Sequence, residues 1–132
     1  LEITESAVME GAEDVIRSLR ESRKLGVHLT ADDFGTGYAS LSYLRKFPLD
    51  GIKIDTTFVA DIDKSAEGGG LAAGVISVGH SLGMNVVAEG VETEHQLSFL
   101  RWRECDEVQG YLISEPLAPD AFMDMVRNGA VL

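Results

Sequence analysis

Five short runs of the chain alternate apolar with polar residues, and each leads into a stretch with helical spacing. The runs are Leu1 to Thr4, Val27 to Asp32, Gly51 to Asp55, Met84 to Glu89 and Glu107 to Tyr111. Side chains two apart on a strand share a face, so every run separates into two sets. Leu1 and Ile3 oppose Glu2 and Thr4; Val27, Leu29 and Ala31 oppose His28, Thr30 and Asp32; Ile52 and Ile54 oppose Gly51, Lys53 and Asp55. Met84, Val86 and Ala88 oppose Asn85, Val87 and Glu89, while Val108 more weakly opposes Glu107 and Gln109. One face is apolar enough to pack under helices. The other brings a polar or charged group near the carboxyl end of each strand: Glu2, Asp32, Lys53, Glu89 and Gln109.

The intervening segments read as helices. "EDVIRSLRESRKLG" carries Val15, Ile16, Leu19 and Leu25 at near-helical spacing and stops at Gly26. "YASLSYLRKF" is a shorter helix ended by Pro48, and "GLAAGVISVGHSLG" a longer one stopping at Gly83. "TEHQLSFLRWR" and "PDAFMDMVRN" complete the series, with Pro119 suited to a first helical turn. "DIDKSAEGGG" is the best candidate for a mobile loop, since consecutive glycines resist ordering. No linker or second domain is visible.

Strands alternating with helices imply parallel β/α units. A sheet covered on both sides should be apolar on both faces, so the polar inner face favours a TIM-like (β/α) barrel, whose site is assembled at the carboxyl ends of its strands. A full barrel has eight strands and about 250 residues. The five units are therefore expected to be the carboxyl-terminal part of one barrel, preceded by roughly three strands. The opening at Leu1, within an apolar stretch, fits a fragment.

Composition narrows the partners. With 132 residues, 45% hydrophobic and 25% charged, the chain falls in the ordinary globular class. Its net charge of −11, from 22 acidic and 11 basic side chains, argues against a nucleic-acid polymer or a membrane surface. The one cysteine, Cys105, permits no intrachain disulfide and no Cys-rich zinc site, and favours a reducing compartment. With no signal peptide and no run of about 18 apolar residues, a cytoplasmic location is expected, although other domains could anchor the parent protein to a membrane.

Glu2, Asp32, Asp33 and Glu89 bring carboxylates to one end of one sheet, with Lys53 the one cation of the inward set. Hard divalent ions take oxygen ligands, and two such ions about 3.5 to 4 Å apart can share a bridging carboxylate and activate water against a phosphoryl centre. Lys53 would then hold a nucleophilic water or charge on phosphate, and Gln109 would orient water or substrate. Singly, each residue has a plainer explanation. A strand-end glutamate is a solvated rim residue, twin aspartates make a turn or cap, Lys53 neutralises acids and Gln109 is a core amide. Their coincidence at one sheet end favours the joint reading. His28, His80 and His95 lack metal-ligand spacing, His28 as a barrel-interior residue and the others as helical ones; Met123 and Met125 are packing residues.

"LEITES", "DDFGTGYASLSYL", "KIDTTFV", "VVAEGVETEHQL" and "QGYLISEPL" together resemble the carboxyl-terminal half of an EAL domain, the bacterial family that hydrolyses cyclic di-GMP. The resemblance covers nearly the whole chain in the right order. It implies a phosphodiesterase with a TIM-like barrel and two divalent metal ions, Mg²⁺ or Mn²⁺, that cleaves cyclic di-GMP to linear pGpG. By the same resemblance Glu2, Asp32, Asp33 and Glu89 match metal ligands, Asp32 being shared between the metals. Lys53 matches the lysine beside the nucleophilic water, Gln109 a residue of the water and metal network, and Glu5 the glutamate that steadies the loop after the twin aspartates. Asp55, Glu92 and Pro116 match supporting or substrate-binding positions. Gly35, Thr36 and Gly37 fall in a regulatory loop that couples dimerisation to metal and substrate binding.

The departures are Ala39 and Thr57 at positions where the family usually has serine, Thr56 where it has arginine, and the absence of the Glu-Ala-Leu signature and a later asparagine ligand. The expectation is therefore an enzyme in the parent domain and an inactive isolated segment. The alternative is a non-catalytic module binding cyclic di-GMP or a protein. A homodimer and fused diguanylate cyclase or sensor domains are the partners the resemblance implies.

Overall fold

The computed structural model describes residues 1–4, 13–35, 44–64 and 68–128. Its strands form one parallel sheet in chain order: β1 (Glu2–Thr4), β2 (Thr30–Phe34), β3 (Gly51–Ile54), β4 (Asn85–Glu89) and β5 (Glu107–Gln109). The strand order never reverses. A doubly wound sheet reverses at its switch point, whereas a (β/α) barrel adds each strand beside the last. The helices are α1 (Glu13–Lys24), α2 (Thr56–Asp61), α3 (Gly70–Ser81), α4 (Glu94–Trp102) and α5 (Pro119–Arg127). No helix among the described residues is long and apolar enough to cross a membrane.

The core is the apolar face expected from strand parity. Leu29, Ala31, Ile52, Ile54, Val86 and Ala88 are fully buried, and they pack with Val59 of α2, Ala72, Val75 and Ile76 of α3, and Leu97 and Leu100 of α4. Fully burying a Val, Leu or Ile side chain contributes about 1.5 to 3 kcal/mol, so this face fixes which side of every strand meets helices. The opposite face is left for function.

Several boundaries differ from expectation for local reasons. The second run was expected over Val27 to Asp32, but β2 begins at Thr30 and continues to Phe34. Val27 instead closes the end of α1, its N–H donating to Ser22 O at 3.3 Å. The third strand stops at Ile54 because Asp55 caps α2, accepting from the Thr57 N–H at 2.9 Å and from the Thr57 hydroxyl. The fourth begins one residue late, at Asn85, and the fifth ends at Gln109.

In "DIDKSAEGGG", residues 65–67 lie outside the described residues, while Gly69 is buried at the start of α3 and Gly70 opens that helix. The helix expected from "YASLSYLRKF" lies largely outside the described residues. Its tail turns back at Leu44, whose carbonyl accepts from the Phe47 N–H at 3.1 Å. Pro119 stands in the first turn of α5, as its fixed φ favours.

Candidate metal and phosphodiester site

The twin aspartates sit in a bulge. Ala31 pairs with Ile52 and Phe34 with Ile54, so β2 uses three steps where β3 uses two. Asp32 and Asp33 together therefore occupy the register of Lys53 alone. An extra residue in a ladder bends the strand and re-aims its side chains. Asp33 accordingly takes φ 53°, unusual for a residue other than glycine, and its N–H donates to Asp32 Oδ1 at 3.1 Å. Phe34 is thereby returned to the buried face. Asp33 belongs to the strand and does not lie just past its end. Gly35 follows at φ 98°, in the left-handed region a turn at this point requires.

Lys53 is the centre of the cluster. It is only 8% exposed. Its Nζ lies 2.7 Å from Glu2 Oε1, 2.6 Å from Glu89 Oε1 and 3.7 Å from Asp32 Oδ1. β1, β2 and β4 each deliver one acid to the one lysine of β3. Burial by itself would lower the Lys53 value, but the hydrogen bonds to Glu2 and Glu89, with the charges of Glu89 and Asp32, outweigh it and hold the ammonium well above its ordinary range. Lys53 is thus charged at any physiological pH.

Oxygen atoms of Asp32, Asp33 and Glu89 all lie within 4.8 Å of one another. An all-oxygen set of this span suits a hard divalent cation. Glu2 stands apart from the trio among the described residues, its carboxylate on Lys53.

Beside the cluster a cleft of about 530 Å³ runs between α2 and the ends of β4 and β5. Thr56, Thr57, Glu89, Glu92, Gln109 and Tyr111 are among its walls. Gln109 is exposed at the end of β5, while its carbonyl accepts from the Val91 N–H at 3.0 Å. Glu92 is exposed on the loop after β4. Pro116 lies away from the carboxylates, on a smaller hollow that shares Gln109, Gly110 and Tyr111 with the cleft. Asp55 has a structural task as a helix cap. Glu5, Thr36 and Gly37 lie outside the described residues. Cys105 is not a nucleophile candidate, since burial pushes its thiol up to about 11.

Gln96 was not singled out in the sequence, yet it supports the cleft wall. It is 5% exposed, and its Oε1 accepts from the N–H groups of Glu92 at 2.8 Å and Thr93 at 3.1 Å. The Thr93 hydroxyl accepts from the Gln96 N–H in return, a capping box legible as "TEHQ". Asp63 beyond α2 clamps the same corner, accepting from the Thr93 hydroxyl at 2.9 Å and meeting His95 Nδ1 at 2.6 Å. The His95 contact is the main cause that holds the Asp63 carboxyl below its usual range. No local pattern announces a pair 32 residues apart.

The chain matches the family model described as "EAL domain" over residues 1–116. It is 48% identical over 127 residues to the cyclic di-GMP phosphodiesterase NbdA of Pseudomonas aeruginosa, a match covering 96% of this chain and 16% of NbdA. Among solved structures it resembles the EAL domain of Mycobacterium smegmatis DcpA, with a TM-score of 0.91 and 37% identity over all of this chain and 59% of that one. It also resembles a manganese and cyclic di-GMP complex of Klebsiella pneumoniae BlrP1, with a TM-score of 0.77 and 38% identity, covering 87% of this chain and 29% of that one. The chain thus spans a minor part of the curated relative and somewhat over half of the DcpA domain. Sheet order, acid cluster and family match agree: this chain belongs to the EAL domain family, with a TIM-like α/β fold.

Proposed function

We propose that these residues form the carboxyl-terminal part of a cyclic di-GMP phosphodiesterase domain, with a Glu-Ala-Leu strand and an asparagine-bearing strand preceding them. The observation that carries this reading is the convergence of Glu2, Asp32 and Glu89 on Lys53 at one sheet end, with Asp33 close to Asp32 and Glu89, beside an open cleft. Two divalent ions, Mg²⁺ or Mn²⁺, are the cofactors, with Asp32, Asp33, Glu89 and Glu2 as this chain's ligands. When bound, such ions supply Lewis acidity at phosphorus and at water.

The chain's own side chains do the remaining work. The Lys53 ammonium donates toward an attacking water or a phosphate oxygen and stabilises negative charge as it develops. Gln109 orients water or substrate through its amide. Thr56, Thr57 and Tyr111 line the space for the rest of the dinucleotide. Hydrolysis joins the water oxygen to phosphorus and breaks one phosphorus–oxygen bond of the ring. The departing ribose oxygen takes up a proton, leaving linear pGpG.

The acidic net charge suits this substrate, because bound cations invert the local field. The small share of NbdA that is matched leaves room for fused diguanylate cyclase or sensor domains. A homodimer and a cytoplasmic location complete the reading.

The test uses the protein with its complete barrel. Incubation with cyclic di-GMP and Mn²⁺ or Mg²⁺ should yield pGpG, resolved by chromatography, and EDTA should stop it. Asp32→Asn or Lys53→Ala should lower kcat by about a hundredfold or more, the usual cost of removing one charge-stabilising group; near-normal rates would refute the assigned roles. Tight binding of cyclic di-GMP without turnover would instead favour a non-catalytic sensory module.

A further inference from the structure

Lys53 is placed where a bound cation and its ligands would meet. It holds Glu89, one of the three acids that could grip a metal, at 2.6 Å, and Glu2, another ligand under the proposed function, at 2.7 Å. We propose that Lys53 is the resident counter-cation of these acids, and that a divalent ion binds in competition with its ammonium for Glu89 and Glu2. The inference rests on the reading of these acids as metal ligands.

Four carboxylates crowded at one sheet end repel one another, and the repulsion is strongest where water is scarce. A buried ammonium between Glu2, Glu89 and Asp32 relieves it and lets the sheet end close without metal. A dication on Glu89 and an ammonium on the same carboxylate would repel in turn. The ion must therefore compete with Lys53 for that group, and its affinity reflects the difference between the two. The exchange has a second consequence. Once its acids turn to the metal, the ammonium is free to donate to water or to phosphate. Loading the metal and making the catalytic lysine available are then one event, and a site without metal keeps its lysine occupied.

The experiment compares unaltered protein, complete in its barrel, with Lys53→Met, which keeps the stem and removes the charge. Mn²⁺ affinity is read by calorimetry and thermal stability by melting in EDTA. The variant should bind Mn²⁺ at least about tenfold more tightly and melt lower in EDTA. It should also gain more in melting temperature from the metal than the unaltered protein does. Unchanged or weaker Mn²⁺ binding, or an unchanged melting temperature in EDTA, would overturn the inference.

Should Lys53→Met not fold, the unaltered protein still decides. The ¹⁵N resonance of the Lys53 ammonium, assigned by its loss in Lys53→Arg, should shift on Mg²⁺ titration; a stationary resonance would overturn the proposal. Failure of the unaltered protein to bind either ion would instead defeat the metal reading itself, and this inference with it.

Discussion

Gly110, next to Gln109, shows how strictly one position can hold a site. A Cβ there would lie 2.1 Å from the Val91 carbonyl oxygen and 2.3 Å from the Val91 nitrogen. Neither atom can retreat, because the Val91 N–H donates to Gln109 O and the Val91 carbonyl accepts from the Leu112 N–H, both at 3.0 Å. Gly110→Ala should destabilise by about 2 kcal/mol or more, in line with overpacking a tight contact, and should displace Gln109 from the cleft. Urea unfolding checks the first effect, and a stability within about 0.5 kcal/mol of the native protein would contradict it. Asp106 offers a test by pH. Burial pushes its carboxyl up, but the His80 contact at 2.9 Å and the Val86 N–H at 2.8 Å outweigh this and hold it below the ordinary value of 3.8. With the folded value below the unfolded one, the stabilisation is present above about pH 4 and lost as pH falls through the folded value. Asp106→Asn should therefore cost stability at pH 7, and the cost should shrink toward pH 3. A cost equal at both pH values would mean that the carboxylate charge contributes nothing.

At the scale of elements, α4 and the loop before it are built by the capping box of Thr93 and Gln96, with Asp63 reaching across from just beyond α2. Thr93→Ala removes the cap and the Asp63 contact together. It should cost about 1 to 2 kcal/mol, the upper range for a lost N-cap, and loosen the Glu92 wall of the cleft. Thermal melting measures the first effect; amide exchange at Glu92 and Thr93 measures the second, and unchanged protection there would contradict it. The periodic elements were legible in the sequence because burial imposes their periods of two and of 3.6 residues. The helix α2 was not, since six residues opened by two β-branched threonines carry no period. Nor was the far end of β2. A bulge is a mismatch between two strands, and nothing within "TADDF" states how many residues β3 will use over the same distance.

Over the whole molecule, β1 and β5 are the edges of the described sheet. Such edges recruit other strands. A polypeptide of residues 1–132 alone should therefore self-associate, as light scattering would show, and should hydrolyse no cyclic di-GMP. A clean monomer would contradict the first expectation and robust pGpG formation the second. The sequence by itself determined the parallel β/α order, the face that packs under helices and the acids delivered to one sheet end. Those properties follow from side-chain parity and hydrophobic burial, which act residue by residue along a strand. Only the tertiary structure decided that two aspartates share the register of one lysine, and that this lysine meets acids from three other strands. Each of these depends on the register between segments 20 or more residues apart, and register is set by the packing of the finished sheet.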